Sequence, residues 1–450
     1  MRRLTLIGCL LATWGFSLPA GLAQAPKAAT APAAPTVALK FAPLDSADAV
    51  LTGSDFVIKS RIPVLFYSGI VVPHRRIDLT EKGAPKSLTL GPVKCAISLD
   101  AKRRFHLAAG GKSQALKAVR MGLATAAIDL GGGRKHALGL PRAFTYLGKG
   151  AIYYRSGCVQ AGPVAGGTVA LYDENLDGSY AAKGDCLRVG AAGAANVFAP
   201  IGSYVPTPGG VYKIGTIAPD GSKLSLALHA GDTGRLAIQC RAARGVTGHF
   251  AVASADGKVS FGAPGNGKTL VVLPGQYKLL YGLLYHPASK RVLALVLPGG
   301  AAVDVAKDVA PPKPDPKAKP KPKAKPAGPT AMAFGDGAHL DFTCKVAGGK
   351  VVITGPVAVK GKLGEEYVGM GFACTASAVQ TPKSADPKKR PRPIVVPIGR
   401  FTVQADKPGV FTFNVPVGKD KKPIAGQWAV RVEANVPAFG RIGGAKPAKF

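Results

Sequence analysis

Glutamate is nearly missing from this chain: Glu81, Glu174, Glu365, Glu366 and Glu433 are the only five in 450 residues. Asp and Glu together number 25 against 59 Lys and Arg, so the formal net charge is +34. Charged residues make up only 19 % of the chain and hydrophobic ones 47 %, which excludes a disordered chain, a coiled coil and a multi-span membrane protein. No stretch beyond the N-terminal leader reaches 18 apolar residues without a charge, so no membrane-spanning helix is expected. No CxxC pair occurs, which removes support for zinc ribbons and thioredoxin-type sites. No GxSxG elbow and no HExxH helix occurs either. The seven histidines are scattered, although folding could still gather some of them with Asp and Ser. Runs with helical periodicity are scarce, and only residues 113–126 predict a helix. Aromatics are 7 %, and no basic reading helix is evident, so specific nucleic-acid recognition is not expected.

Present in quantity are Gly and Pro, 58 and 38 residues, which favour turns between short strands. The chain length gives a prior of about three domains. Residues 1–23 read as a signal peptide: Arg2 and Arg3 precede an apolar stretch Leu4–Leu18, and Gly21-Leu22-Ala23 offers a cleavage site. Cys9 resembles a lipidation cysteine, but cutting before it would leave too short an apolar core. An exported location follows, in the periplasm, at the cell surface or outside the cell. Removing the leader leaves six cysteines, and an even count in an exported chain predicts up to three disulfides with open connectivity. Residues 24–37 read as an Ala/Pro leader. Residues 307–330 read as a Lys/Pro-rich linker in extended, polyproline-like conformation.

Between these segments the pattern is β. Val211–Ile214 leads through Pro219-Asp220-Gly221 into Leu224, Leu226 and Leu228, a hairpin signature because Gly accepts positive φ at the turn. His249–Phe261 repeats it around Asp256-Gly257, and Val351–Thr354 follows Gly348-Gly349. Near the end, Trp428, Val430 and Val432 alternate with Ala429, Arg431 and Glu433, inward against outward. Pro-Gly precedes an aromatic strand three times, at 208–212, 274–277 and 408–411. The expected architecture is all-β, with tandem β-sandwich domains. Residues 38–235 form a β-rich domain, 236–306 a small sandwich, and 331–450 an immunoglobulin-like sandwich after the linker, in which Cys344 and Cys374 could be bridged.

One constellation carries ion chemistry. Residues 173–185 read DENLDGSYAAKGD. Asp173, Asn175 and Asp177 take positions 1, 3 and 5 of a calcium-type loop, Gly178 takes position 6, and Ser179 offers its carbonyl at position 7. Gly184 stands where a bidentate Glu would close the loop, and Asp185 follows one residue later. Strands are expected on both sides, Thr168–Tyr172 before and Leu187–Val189 after, with Cys158 and Cys186 placed to pin the loop. The predicted ligand is Ca2+, held by Asp173, Asn175, Asp177, Ser179 and Asp185 in a stabilising role. The plain alternative is an Asx-rich turn without metal.

The stretch GTVALYDENLDGSYAAKGDCLRVG, followed by GGVYKIGTIAPDGSKLSL, resembles uncharacterised exported proteins of planctomycete-type bacteria that carry a DxNxDGxY loop between strands. The resemblance covers residues 165–230 and implies no activity. Cys186 departs from its more usual residue there.

Three other motifs are decoys. Gly262–Thr269 matches the phosphate-loop pattern, yet Leu270–Leu273 runs straight into Pro274-Gly275 and leaves no room for the helix that would cradle phosphate. Glu365-Glu366 reads as solvated surface. Lys388-Lys389-Arg390-Pro391-Arg392 reads as a basic loop. The positive charge is spread along the chain and favours anionic cell-surface polymers or glycans as partners. The function expected is a non-enzymatic structural or adhesive protein of the envelope. A secreted hydrolase acting on glycans or peptides is the alternative, and the oligomeric state is open.

Overall fold

The computed structural model describes residues 35–43, 50–51, 75–78, 86–99, 105–115, 123–141, 151–181, 184–190, 196–288, 291–308, 328–380, 392–404, 409–418 and 422–450. The expected signal peptide, leader residues 24–34, linker residues 309–327 and basic residues 388–391 lie outside them. Every helix or strand assigned within the described residues is a strand, so the chain is all-β. Of the helix expected over 113–126, residues 116–122 lie outside the described residues and the rest is strand. Lys112–Ala115 and Leu123–Asp129 are strands instead, the second alternating buried Ala126 and Ile128 with exposed Ala127 and Asp129. Thr36–Ala38, whose first two residues were expected in the leader, pairs with Lys223–Leu228 as an edge strand.

The Gly-marked turns form where local chemistry requires them. Gly210–Ile217 and Lys223–Leu228 pair antiparallel around Gly221, whose φ is +71°. Asp220 Oδ1 accepts the Ser222 N–H at 3.0 Å and fixes the turn. His339–Ala347 and Lys350–Lys360 meet at Gly348 and Gly349, both at positive φ.

In the N-terminal half, a four-stranded meander (Lys86–Leu90, Val93–Leu99, Phe105–Ala109, Lys112–Ala115) shares a core with the sheet containing Leu123–Asp129 and Lys135–Pro141. Leu90, Ile97, Leu107 and Leu138 are fully buried there. A second core lies between the sheet Lys40–Pro43, Cys158–Val164, Gly167–Tyr172, Cys186–Gly190, Ala199–Pro200 and the sheet holding Tyr204–Thr207 and Lys223–Leu228. Val169, Leu171, Leu224 and Leu226 fill it. Each such side chain contributes about 1.5–3 kcal/mol on burial.

The C-terminal half departs from the expected boundaries. A nine-stranded sheet runs from Ser260–Pro264 through Gly275–His286 and Arg291–Leu297 to Glu366–Val368 and on to His339–Ala347. Arg291–Leu297 pairs antiparallel with Glu366–Val368, and Gly234–Cys240 pairs in parallel with Thr330–Phe334. Residues expected to form two sandwiches, 236–306 and 331–450, therefore share sheets and one core, in which Phe250 and Phe334 stack 4.3 Å apart between centroids. The chain passes through the Lys/Pro segment between partners of the same sheet.

The six described cysteines are all free thiols, which corrects the expectation of disulfides. Cys158 and Cys186 lie on strands separated by Gly167–Tyr172. Next-nearest strands are about 9–10 Å apart, beyond the roughly 7 Å Cα separation a disulfide spans. Cys344 and Cys374 lie in different sheets. Burial pushes Cys240 up to about 11 and Cys374 up to about 12, so these thiols stay protonated and pack as small apolar groups.

The phosphate-loop look-alike forms a sheet corner. Ser260–Pro264 belongs to the nine-stranded sheet and Asn266–Val272 to a three-stranded one. Gly265 turns between them where a Cβ would stand 2.7 Å from Cys240 Cβ and from the Phe250 ring. No helix follows, so no cluster of amides faces a phosphate.

Candidate functional site: a loop between two cores

Gly167–Tyr172 and Cys186–Gly190 are antiparallel neighbours, with Tyr172 opposite Cys186. Residues 173–185 connect them, so the DxNxDG segment is set between strands as its sequence predicts. Its path is fixed by side chains capping their own backbone. Asn175 Oδ1 accepts the Asp177 N–H at 2.7 Å, and Asp177 Oδ1 accepts the Ser179 N–H at 2.8 Å. Asn175 Nδ2 donates to Asp177 Oδ2 at 2.9 Å. Three described residues of the loop take positive φ, Leu176 at 61°, Gly178 at 76° and Gly184 at 113°. The first is a γ-branched residue with no intrinsic preference for that region, so tertiary packing must hold it.

That packing is visible. Leu176 is 3 % exposed and inserts into the core formed by Leu90, Ile97 and Leu138. Its carbonyl accepts the Gly91 N–H at 3.1 Å. Gly91 (φ +55°) permits this approach: a Cβ there would meet Asp177 O at 2.8 Å. Four residues further on, Tyr180 enters the other core, beside Leu171 and Leu224, and its N–H donates to Pro219 O at 2.9 Å. One short loop thus places an apolar side chain in each of two separate cores.

At the hinge between them sits a buried polar cluster. Asp173 is fully buried, accepts the Gly178 N–H on Oδ2 at 3.0 Å, and contacts His136 Nε2 with the same oxygen at 3.0 Å. The histidine contact is a close ionic approach through Oδ2, while Asp173 Oδ1 is buried without a hydrogen-bond partner. His136, also fully buried, comes from Lys135–Pro141, and its Nδ1 lies 3.0 Å from Ala137 O. Cys158 Sγ accepts the Ala137 N–H at 3.2 Å and lies 3.5 Å from the Tyr180 hydroxyl. The Tyr180 ring stacks on His136 at 6.1 Å. Burial alone would lower the His136 pKa. The Asp173 carboxylate and the Cys158 sulfur outweigh it and raise it to about 10. The imidazole is therefore a cation at neutral pH, and the pair is a buried ion pair. Burial, reinforced by Cys158, pushes the Tyr180 hydroxyl upward.

The expected ligands are thus only partly brought together. Asn175 and Asp177 adjoin each other, with Asp177 and Ser179 at the surface side of the loop. Asp173 points to His136, and Asp185 is 1 % exposed at the loop's far end. Gly184 returns to Asn175: a Cβ there would stand 3.9 Å from Asn175 Cβ. Among the described residues, no three His, Cys, Asp or Glu side chains form a metal-binding group. His136, Cys158 and Tyr180 were not among the expected site residues. Leu176 was the available signal, an isolated apolar residue inside an otherwise polar turn.

A further buried acid lies elsewhere. Glu365, read from sequence as solvated, is 1 % exposed. Its Oε1 accepts the Gly335 N–H and the Tyr367 hydroxyl, both at 2.8 Å. It clasps the turn after Thr330–Phe334 to the strand Glu366–Val368. Gly361 leaves the space, since a Cβ there would overlap the carboxylate.

No protein-family model matches the chain, and no curated protein shows significant similarity to it.

Proposed function

We propose that the chain is an exported, non-enzymatic structural or adhesive protein of the cell envelope, in which loop 173–185 is a rigid joint and the basic surface meets anionic polymers. The observation that carries this reading is the loop itself, with Leu176 in one core, Tyr180 in the other and Asp173 clamped between. Such a joint resists relative movement of the flanking sheets, which suits a load-bearing module. The export and adhesive parts rest on the N-terminal leader and on the charge of +34. The immunoglobulin-like comparison for 331–450 belongs to the same reading.

Ca2+ is the proposed stabilising ion. Its donors would be Asp173, Asn175 and Asp177, the Ser179 carbonyl and Asp185. All are oxygens, as a hard cation requires. Asp173 Oδ1 is buried without a hydrogen-bond partner, and such an atom is costly unless something positive faces it.

The hydrolase alternative draws on His136, Cys158 and Asp173, which combine a base, a nucleophile and an acid. All three are fully buried. A substrate cannot reach Sγ, which favours the structural reading.

The test is thermal unfolding of the full chain with millimolar Ca2+ and with chelator, for wild type and Asp177→Ala. Ion binding to the folded state at about 100 times its dissociation constant adds about 2.7 kcal/mol. A Ca2+-dependent rise in Tm that Asp177→Ala abolishes supports the ion site. An unchanged Tm overturns it.

A further inference from the structure

We propose that the outward face of the C-terminal four-stranded sheet is a docking surface for an anionic polysaccharide, gripped by Arg400, Arg431 and Arg441. The inference rests on the proposed contact with anionic polymers and names the surface responsible. The sheet runs Ile394–Val403, Phe372–Gln380, Gln427–Val436, Gly440–Lys449. Cys374, Ala376, Val430 and Val432 face the core. The alternate residues therefore face solvent. Register places Arg400, Thr375 and Glu433 in one row across three strands. Arg431 lies opposite Ser377 and Ala445, and Arg441 opposite Asn435, which flanks that row on both sides.

Between the arginines the face carries small side chains such as Ala373, Ser377 and Ala445, so a flat polymer meets no obstruction. Glu433 is the one acid of the face, and both Arg431 and Arg441 pair with it. Arg400 and Arg441 are exposed, Arg441 by 77 %. Guanidinium groups match carboxylate or sulfate through paired N–H donors. The outward positions carry no aromatic ring on which bases could stack, which single-stranded nucleic acid requires. A strand face also offers no helix for a duplex groove. Charge and shape together select an acidic polysaccharide.

The experiment is fluorescence anisotropy with labelled oligogalacturonate at low ionic strength. The full chain is compared with Arg400→Ser/Arg441→Ser, with Glu433→Gln, and with Lys213→Ser/Lys268→Ser. The last removes equal charge from exposed positions on other sheets. The proposal expects about tenfold weaker binding or more for the arginine pair. It expects less than about a twofold change for the lysine pair, and tighter binding for Glu433→Gln. Equal weakening by both pairs would assign binding to the overall charge and overturn this face alone. Failure of the wild type to bind would overturn both this face and the reading it rests on. Tighter binding of a single-stranded oligonucleotide would overturn the polysaccharide assignment.

Discussion

Two ion pairs in this protein use the same chemistry in opposite surroundings. His136 and Asp173 meet at 3.0 Å with both side chains fully buried. Asp341 meets Lys360 at 2.7 Å and Lys446 at 2.9 Å, with the carboxylate 32 % exposed. By distance alone the C-terminal site is stronger, since it has two shorter contacts. Burial reverses the ranking of what each loss would cost. Removing one partner of a buried pair leaves an uncompensated charge and costs about 3–5 kcal/mol. An exposed pair contributes about 0–1 kcal/mol because water replaces the partner. In a chain so poor in acids, those buried among the described residues, Asp173, Asp185 and Glu365, sit at places where strands or loops must be held together.

The largest expected effect is at the joint. Asp173→Ala should destabilise the protein by about 3–5 kcal/mol in urea unfolding at neutral pH. A loss below about 1 kcal/mol would place Asp173 with the surface acids. Leu176→Ala follows, at about 2–5 kcal/mol, because it empties a core position and leaves a strained backbone without its anchor. Unchanged stability there would mean that the loop rides on the core without bracing it. At the buried acid of the C-terminal half, Glu365→Gln should cost about 1–3 kcal/mol, since the Gly335 N–H and Tyr367 hydroxyl would lose a carboxyl acceptor. The smallest effect is expected from Asp341→Asn, about 0–1 kcal/mol and reduced further by salt.

Acidity separates the two sites as well. The folded-state pKa of His136 is raised to about 10. Its contribution is therefore complete below the unfolded value of about 6.5 and is lost as pH rises toward about 10. Asp341 is lowered to about 2 by Lys360 and Lys446. Its contribution is present above about 4 and is lost as pH falls toward about 2. Urea midpoints across pH 6–10 should fall for wild type and stay flatter for His136→Leu. Parallel curves would remove His136 from the account.

The strands and several turns were legible because their signals are local. Asp220-Gly221, Asp256-Gly257 and Gly348-Gly349 mark turns by φ requirements confined to two residues, and alternation around Val430 and Val432 marks a half-buried strand. The DxNxDG loop was legible for the same reason: Asn175 and Asp177 cap amides two residues ahead. What was not legible depends on contacts between distant segments. Nothing near His136 announces Asp173. The burial of Glu365 follows from Gly335 and Tyr367 arriving around it. The cysteines read as disulfides because only their number was visible, whereas pairing depends on which strands adjoin. The join across the Lys/Pro segment was hidden because parallel pairing of Gly234–Cys240 with Thr330–Phe334 leaves no local mark.

The central claim is that the buried contact between His136 and Asp173 holds the joint while the partly exposed pair at Asp341 does little. Parallel double-mutant cycles measure it directly, His136→Leu with Asp173→Leu against Lys360→Met with Asp341→Leu, by urea unfolding at pH 7. The account predicts a coupling of about 3 kcal/mol or more at the buried pair and about 1 kcal/mol or less at the exposed one. Equal couplings at the two sites would contradict it.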